Sequence, residues 1–357
     1  MLIASTGGSC RLADPGSPVL VSRVREAGQS SGADTALLQA PSATEELPEF
    51  PQAQSPWWRA QRPVPPEVPR EFGTGSRVES LWLRSAGLRQ GCPLVAVSSA
   101  DGGVGRSTLT AAVGGVLALA LSGPVIAVDA NLRPWGGLEH RVPRRSAATV
   151  WDAVRAGEAL AMPPVVERFT QLGPTGLRVL VGESAMTSQR RPPSWPELFG
   201  VVAHLQSVYS LAVLDLPAAA VAPVWRALGW ATVPVLVSRA AVDSLQHTMR
   251  LLTQMRAVGL HEVVERTVVV VMATSPSTAR EVRAVEQLAA QAAAHLVRVP
   301  YDPVLARPQS LDPRSMGKAA RSALVDVAAA IVGRCPVDLD RSDSAAGEAA
   351  TDGGRQP

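Results

Sequence analysis

The sequence predicts an α/β fold between residues 93 and 334: a doubly wound, mostly parallel sheet with helices on both faces. Three observations lead there. Short runs rich in Val, Ile and Leu alternate with stretches of helical periodicity, the order that builds successive βαβ units. Those runs are near-continuous in apolar residues, as burial on both faces of a sheet requires. The first of them leads straight into a glycine-rich turn that opens a helix, an arrangement suited to holding an anion.

In chain order, the Leu-Val-Ala-Val-Ser run predicts a first strand over 94–98, and the Ala- and Val-rich stretch behind it a helix over 107–121. Residues 110–128 together approach the ~20 apolar residues that span a bilayer. Ser122-Gly123-Pro124 splits them into a helix and a strand over 125–129, so a buried core is expected instead. Further strands are expected over 177–181, 211–215, 233–237, 267–272 and 296–299. Helices are expected over 149–155, 196–208, 221–228, 241–258, 277–294 and 315–332. The first 70 residues hold 10 of the 30 prolines and show no sustained apolar periodicity, which predicts a disordered Pro-rich arm over 1–75. Residues 76–92 are expected as a linker and 335–357 as a disordered acidic tail. Within the arm, Trp57 and Trp58 stand out as a docking motif for a protein partner or as a pair that folds back on the domain.

Of 357 residues, 46% are hydrophobic and 18% charged, enough for one large α/β domain with flanks. Lys and Arg together number 34, yet Lys318 is the one lysine. Chemistry that needs a lysine ammonium before position 318 is therefore excluded, including a Schiff-base lysine. Cys10, Cys92 and Cys335 are too few and too scattered for a disulfide framework or a CxxC metal site. With no export signal read at the N-terminus and no basic amphipathic helix in the tail, a cytoplasmic protein without a membrane anchor is expected. Between the flanks lie 26 basic and 18 acidic residues, a balance that permits contact with DNA without establishing it.

The chemistry concentrates in Asp101-Gly-Gly-Val-Gly-Arg-Ser-Thr108. Gly102, Gly103 and Gly105 free the backbone to wrap its N–H groups around an anion, and the helix opening near Arg106 adds the positive end of its dipole. At this point the sequence resembles the MinD/ParA family of P-loop ATPases, whose deviant Walker A motif reads Lys-Gly-Gly-x-Gly-Lys-(Ser/Thr). The resemblance covers residues 93–334 through four landmarks in order. These are the loop 101–108, the strand and switch Val125-Ile-Ala-Val-Asp-Ala-Asn131, the Walker B-like Leu211-Ala-Val-Leu-Asp-Leu-Pro217, and the late turn Val299-Pro-Tyr-Asp-Pro303.

The resemblance implies an ATP- and Mg²⁺-dependent switch that works as a homodimer. By position, Gly102, Gly103, Val104, Gly105, Arg106, Ser107 and Thr108 would cradle phosphates. Ser107, Asp129 and Asp215 would hold Mg²⁺, and Pro300, Tyr301 and Asp302 would lie beside the base. Four positions depart from the pattern. Asp101 replaces the signature lysine, and a carboxylate ~6 Å from a phosphate charge is repelled by roughly 3 kcal/mol at an effective dielectric of ~20. Arg106 replaces the second lysine, a planar fork where a point charge is expected. Asn131 replaces the water-positioning carboxylate and cannot accept a proton as a carboxylate does. Met272-Ala273-Thr274 stands where relatives carry a base-reading asparagine. These departures lead to an expectation of ATP binding with slow or absent hydrolysis, and of Asp101 pairing with an arginine of a neighbouring subunit. Three roles stay open: a switch that positions or regulates a larger assembly (secretion or pilus, division, segregation), a non-catalytic dimeric scaffold, and a nonspecific DNA-binding partition-type ATPase.

Overall fold

The computed structural model describes residues 67–336 apart from 87, 89, 90, 134, 135, 184, 186, 187, 277–282, 285, 286 and 288–294. Trp57 and Trp58, nearly all of the expected arm and tail, and most of the expected helix 277–294 lie outside the described residues.

Eight described strands form one sheet: β1 (Leu94–Ser98), β2 (Val125–Asp129), β3 (Gln171–Leu172), β4 (Arg178–Leu180), β5 (Leu211–Asp215), β6 (Val233–Arg239), β7 (Val268–Met272) and β8 (Leu296–Val299). Their order is β3-β4-β2-β5-β1-β6-β7-β8. Every pairing is parallel except β3 with β4. The apolar runs became strands because both faces are covered: β1, β2, β5 and β7 are buried at all five positions. Their side chains alternate between two core layers, Val95 and Val97 facing one, Leu94 and Ala96 the other.

The first layer is closed by α1 (Ser76–Ala86), α2 (Arg106–Ala120) and the last helix, α10 (Lys318–Val332). The second is closed by α3 (Val150–Ala156), α4 (Pro163–Phe169), α5 (Trp195–Gln206), α6 (Ala222–Trp230), α7 (Val242–Ala257) and α8 (His261–Arg266). A short α9 (Pro303–Ala306) follows β8. Because β1 sits between β5 and β6, the chain runs to both sides of it, and the crevice at the carboxyl end of β1 is the topological switch point where open α/β sheets bind ligands.

The region read as a linker is different. Residues 76–86 form α1, whose Leu81 (0% exposed) and Trp82 (3%) enter the first core layer. Phe72 packs against Trp82 with the rings tilted by 52° and their centroids 5.9 Å apart, and Arg77 pairs with Asp326 on α10 at 2.9 Å. The domain edge thus lies before residue 76. A helix of three turns that turns Val78, Leu81, Trp82 and Ser85 inward at i, i+3, i+4 and i+7, the last three buried, owes its stability mainly to packing, as short helices do. At the other end Cys335 is also buried, so the core reaches one residue into the expected tail. Helices α4 and α8 and strand β3, each seven residues or fewer, were not expected. Their patterns are too short to show a period.

Candidate functional site

The loop after β1 turns into α2 through two residues with left-handed backbone, Gly103 (φ 68°) and Gly105 (φ 95°). A Cβ at Gly105 would also press on the Met272 sulfur at 3.2 Å, so Met272, at the end of β7, lies under the loop. Val104 is buried (1% exposed) and anchors the turn by packing. Helix α2 starts with no side-chain cap and no acidic residue in its first turn, which leaves its first N–H groups available to an anion. A cleft of about 270 Å³ lies there, lined by Gly103, Val104, Gly105, Arg106, Ser107, Thr108, Gly137, His140, Arg141 and Pro308.

Two carboxylates stand beside it. Asp129 and Asp215 end β2 and β5 as register partners, which aims both side chains to one side of the sheet. Asp129 is 1% exposed and Asp215 3%. Asn131 N donates to Asp129 Oδ1 at 3.0 Å, and Ser107 donates to Asp215. The other oxygens, Asp129 Oδ2 and Asp215 Oδ1, are buried with no well-formed hydrogen bond, although the Gly182 N–H lies close enough to Asp129 to favour its charged form. Burial, and then the nearby Asp215 carboxylate, push the Asp129 carboxyl well above the usual range; burial raises Asp215 as well, against the pull of Ser107 and Arg106. Space around Asp129 admits only glycine: a Cβ on Gly136 would come within 2.0 Å of Oδ2, and one on Gly182 within 3.0 Å.

Two buried, unsatisfied carboxylate oxygens cost free energy unless a cation or protons meet them. The donor set of Asp129, Asp215 and the Ser107 hydroxyl is of hard oxygens and fits the magnesium ion that the resemblance implies. Among the described residues no group of three or more His, Cys, Asp or Glu could hold a metal unaided. The remaining ligands of such an ion would be water and phosphate oxygens.

The departing residues each have a defined place. Asp101 Oδ1 meets His247 Nδ1 of α7 at 2.7 Å, so its partner lies in its own chain and the expected intersubunit arginine is unnecessary to explain it. Arg106 turns back on the loop: Nη1 donates to the Asp101 carbonyl at 2.8 Å and to Ser99 Oγ, while burial lowers its pKa and Asp215 opposes that. The Asn131 carboxamide oxygen accepts from Arg133 N at 3.3 Å and so closes its own turn.

The residues expected beside a base have contacts of their own. Asp302 is buried, and its two oxygens accept from Val304 N and Gly317 N, both at 2.8 Å. It caps α9 and ties that helix to the start of α10, which is a structural task. Tyr301 is 37% exposed. Neither these two nor Pro300 lines the cleft beside the glycine loop, whose lining includes Arg141 and Pro308. Sequence reasoning missed His140, Arg141 and Pro308. Their only signal was position, a few residues beyond the switch strand and the late turn.

The fold has solved counterparts. A ParA family ATPase from Chlorobium tepidum superposes with a TM-score of 0.53 at 20% identity, covering 66% of this chain and 98% of that one. The MinD cell division protein of Aquifex aeolicus gives 0.50 at 20% identity over 69% and 100%. This is the MinD/ParA-like P-loop fold. A third neighbour with that fold, the cobyrinic acid a,c-diamide synthase of Mycobacterium smegmatis solved with an ATP analogue and magnesium, gives 0.51 at 16% identity over 70% and 99%. No family model matches the sequence. Among curated proteins, the ESX-1 secretion-associated protein EspI of Mycobacterium tuberculosis is 29% identical over 178 residues, half of this chain. The match spans about a quarter of EspI's own length, 26%. Among the described residues no helix is long and apolar enough to cross a membrane.

Proposed function

We propose that this MinD/ParA-like chain is an ATP- and Mg²⁺-binding switch that regulates a larger assembly, with a secretion apparatus as the assembly, and that it hydrolyses ATP slowly or not at all. The observation that carries the reading is the pair of buried carboxylates with unpartnered oxygens, set beside a glycine loop and an open helix N-terminus. A cation meeting those oxygens would offset the cost of burying them, as protons do in its absence. The choice of a secretion machine is supported by the similarity to EspI, whose name ties that protein to ESX-1 secretion.

In this reading the N–H groups from Gly103 to Thr108 bind phosphate oxygens, and Ser107, Asp129 and Asp215 hold Mg²⁺. The bound ion would neutralise phosphate charge and lower the pKa of water in its shell. Slow turnover follows from the chain's own residues. Asn131 is committed to a turn and has no carboxylate to take a proton, and Asp101 brings negative charge to the loop mouth in place of a cation. A homodimer and a docking role for Trp57 and Trp58 belong to the same proposal, since a recruited switch needs a partner surface.

A second reading, a non-catalytic scaffold, is favoured by the Asp101–His247 pair and the inward-turned Arg106, which fasten the loop without a ligand. ATP affinity and turnover of the wild type and of Asp101→Lys/Arg106→Lys/Asn131→Asp separate the two. A binding wild type with little turnover, accelerated by the triple change, supports the switch. Wild-type turnover that the change does not improve refutes slow hydrolysis, and no binding by either protein leaves the scaffold. Retention on DNA at low salt, lost as salt rises, would revive the partition-type alternative.

A further inference from the structure

We propose that Arg141, assisted by His140, supplies from the far wall of the cleft the phosphate-binding cation that the loop itself lacks. The inference rests on the nucleotide-binding reading above and deepens it by naming residues and the part of the ligand they recognise.

The cations of the glycine loop are spent or absent. Position 101 carries a carboxylate, and the Arg106 guanidinium donates inward to the Asp101 carbonyl and Ser99. A polyphosphate in the cleft needs positive charge beyond what backbone dipoles offer, and the opposite wall has it. The short 3₁₀ turn Leu138–Arg141 follows directly on Gly136 and Gly137, which abut Asp129 and Ser107. Leu138 is fully buried and pins the start of the turn. At its end Leu311 N donates to the Arg141 carbonyl at 3.0 Å, and Arg141 Nη1 donates to the carbonyls of Leu305 and Arg307.

Arg141 is thereby held in place from both its backbone and its side chain. Its Nε and Nη2 make no hydrogen bond among the described residues, and it lines the cleft together with His140. A guanidinium whose one edge is anchored and whose remaining donors are unused is preorganised for a planar, forked contact with phosphate oxygens. The same anchoring joins the switch segment to the loop after α9, so a ligand that engages Arg141 touches both.

The test is equilibrium titration of the full chain with fluorescent ATP, ADP and AMP in the presence of Mg²⁺, comparing wild type, Arg141→Ala, Arg141→Lys and His140→Ala, with thermal melting to monitor folding. The expected result is about a tenfold loss of ATP affinity for Arg141→Ala, a smaller loss for ADP and least for AMP. Arg141→Lys is expected to fall between wild type and Arg141→Ala, and His140→Ala to show a weaker form of the same gradient. Equal losses for the three nucleotides would mean that Arg141 only holds the wall together, and would overturn the inference. Unchanged ATP affinity in Arg141→Ala, with the wild type binding, overturns the inference alone. A wild type that binds none of the three overturns it together with the nucleotide-binding reading.

Discussion

Replacing Asp215 with Asn tests whether the carboxylate pair waits for a cation. Asp129 and Asp215 are register partners on adjacent parallel strands, and strands lie about 4.8 Å apart. Two like charges at about 5 Å and an effective dielectric of ~20 repel by roughly 3 kcal/mol, which caps what the substitution can return. Folding raises both carboxyl pKa values, so the folded chain holds protons that the unfolded chain releases near pH 4. The stability this provides is complete below that range and is lost as pH rises through the raised values. In metal-free buffer the wild type should therefore lose stability as pH increases from 5 to 8, whereas Asp215→Asn should follow a flatter profile. At pH 8 the variant should be more stable by up to about 3 kcal/mol, a Tm higher by roughly 6–12 °C for a domain of this size. Millimolar Mg²⁺ with ATP should raise the Tm of the wild type and leave the variant nearly unmoved. Thermal melts across pH, with and without Mg²⁺ and ATP, read all of this. A wild type whose stability is flat from pH 5 to 8 and matches the variant would refute the account of the pair.

Three further outcomes follow from named contacts. Gly136→Ala places a Cβ 2.0 Å from Asp129 Oδ2 and should cost about 1–3 kcal/mol through overpacking. It should also abolish Mg²⁺-dependent nucleotide binding, measured by titration at a temperature where the variant is folded. Leu81→Ala removes a fully buried side chain of α1 and should cost about 2–5 kcal/mol in a denaturant melt; a change under about 0.5 kcal/mol would restore the linker reading. Asp101→Ala breaks a partly exposed pair with His247, so stability should move by less than about 1 kcal/mol. ATP affinity should rise several-fold, since a negative charge leaves the loop mouth.

The sheet was legible because its signal is local and repeated. Runs of four or five residues dominated by Val, Leu, Ile and Ala admit few structures other than buried parallel strands, and β1, β2, β5 and β8 lie at their expected residues. The phosphate loop was legible for a related reason: glycines at fixed spacing between a strand and a helix are required by left-handed φ at Gly103 and Gly105. Helix α1 escaped notice because eleven residues with four inward positions resemble a polar connection until α10 is beside them.

The sequence by itself determined the layered fold, the place of the glycine loop and the identities of the residues that replace the usual lysines and carboxylate. Backbone preference and hydrophobic period act over a few residues, and a sequence displays them directly. What those replacements touch was decided only in the tertiary structure. Residues 146 positions apart bring Asp101 to His247, and 166 positions separate Arg141 from the Arg307 carbonyl it holds. Asp302, expected beside a base, caps α9 and ties it to Gly317, a pairing across 15 positions. Pairings across such separations depend on how helices dock on the sheet, a property of the packed whole that no local pattern encodes.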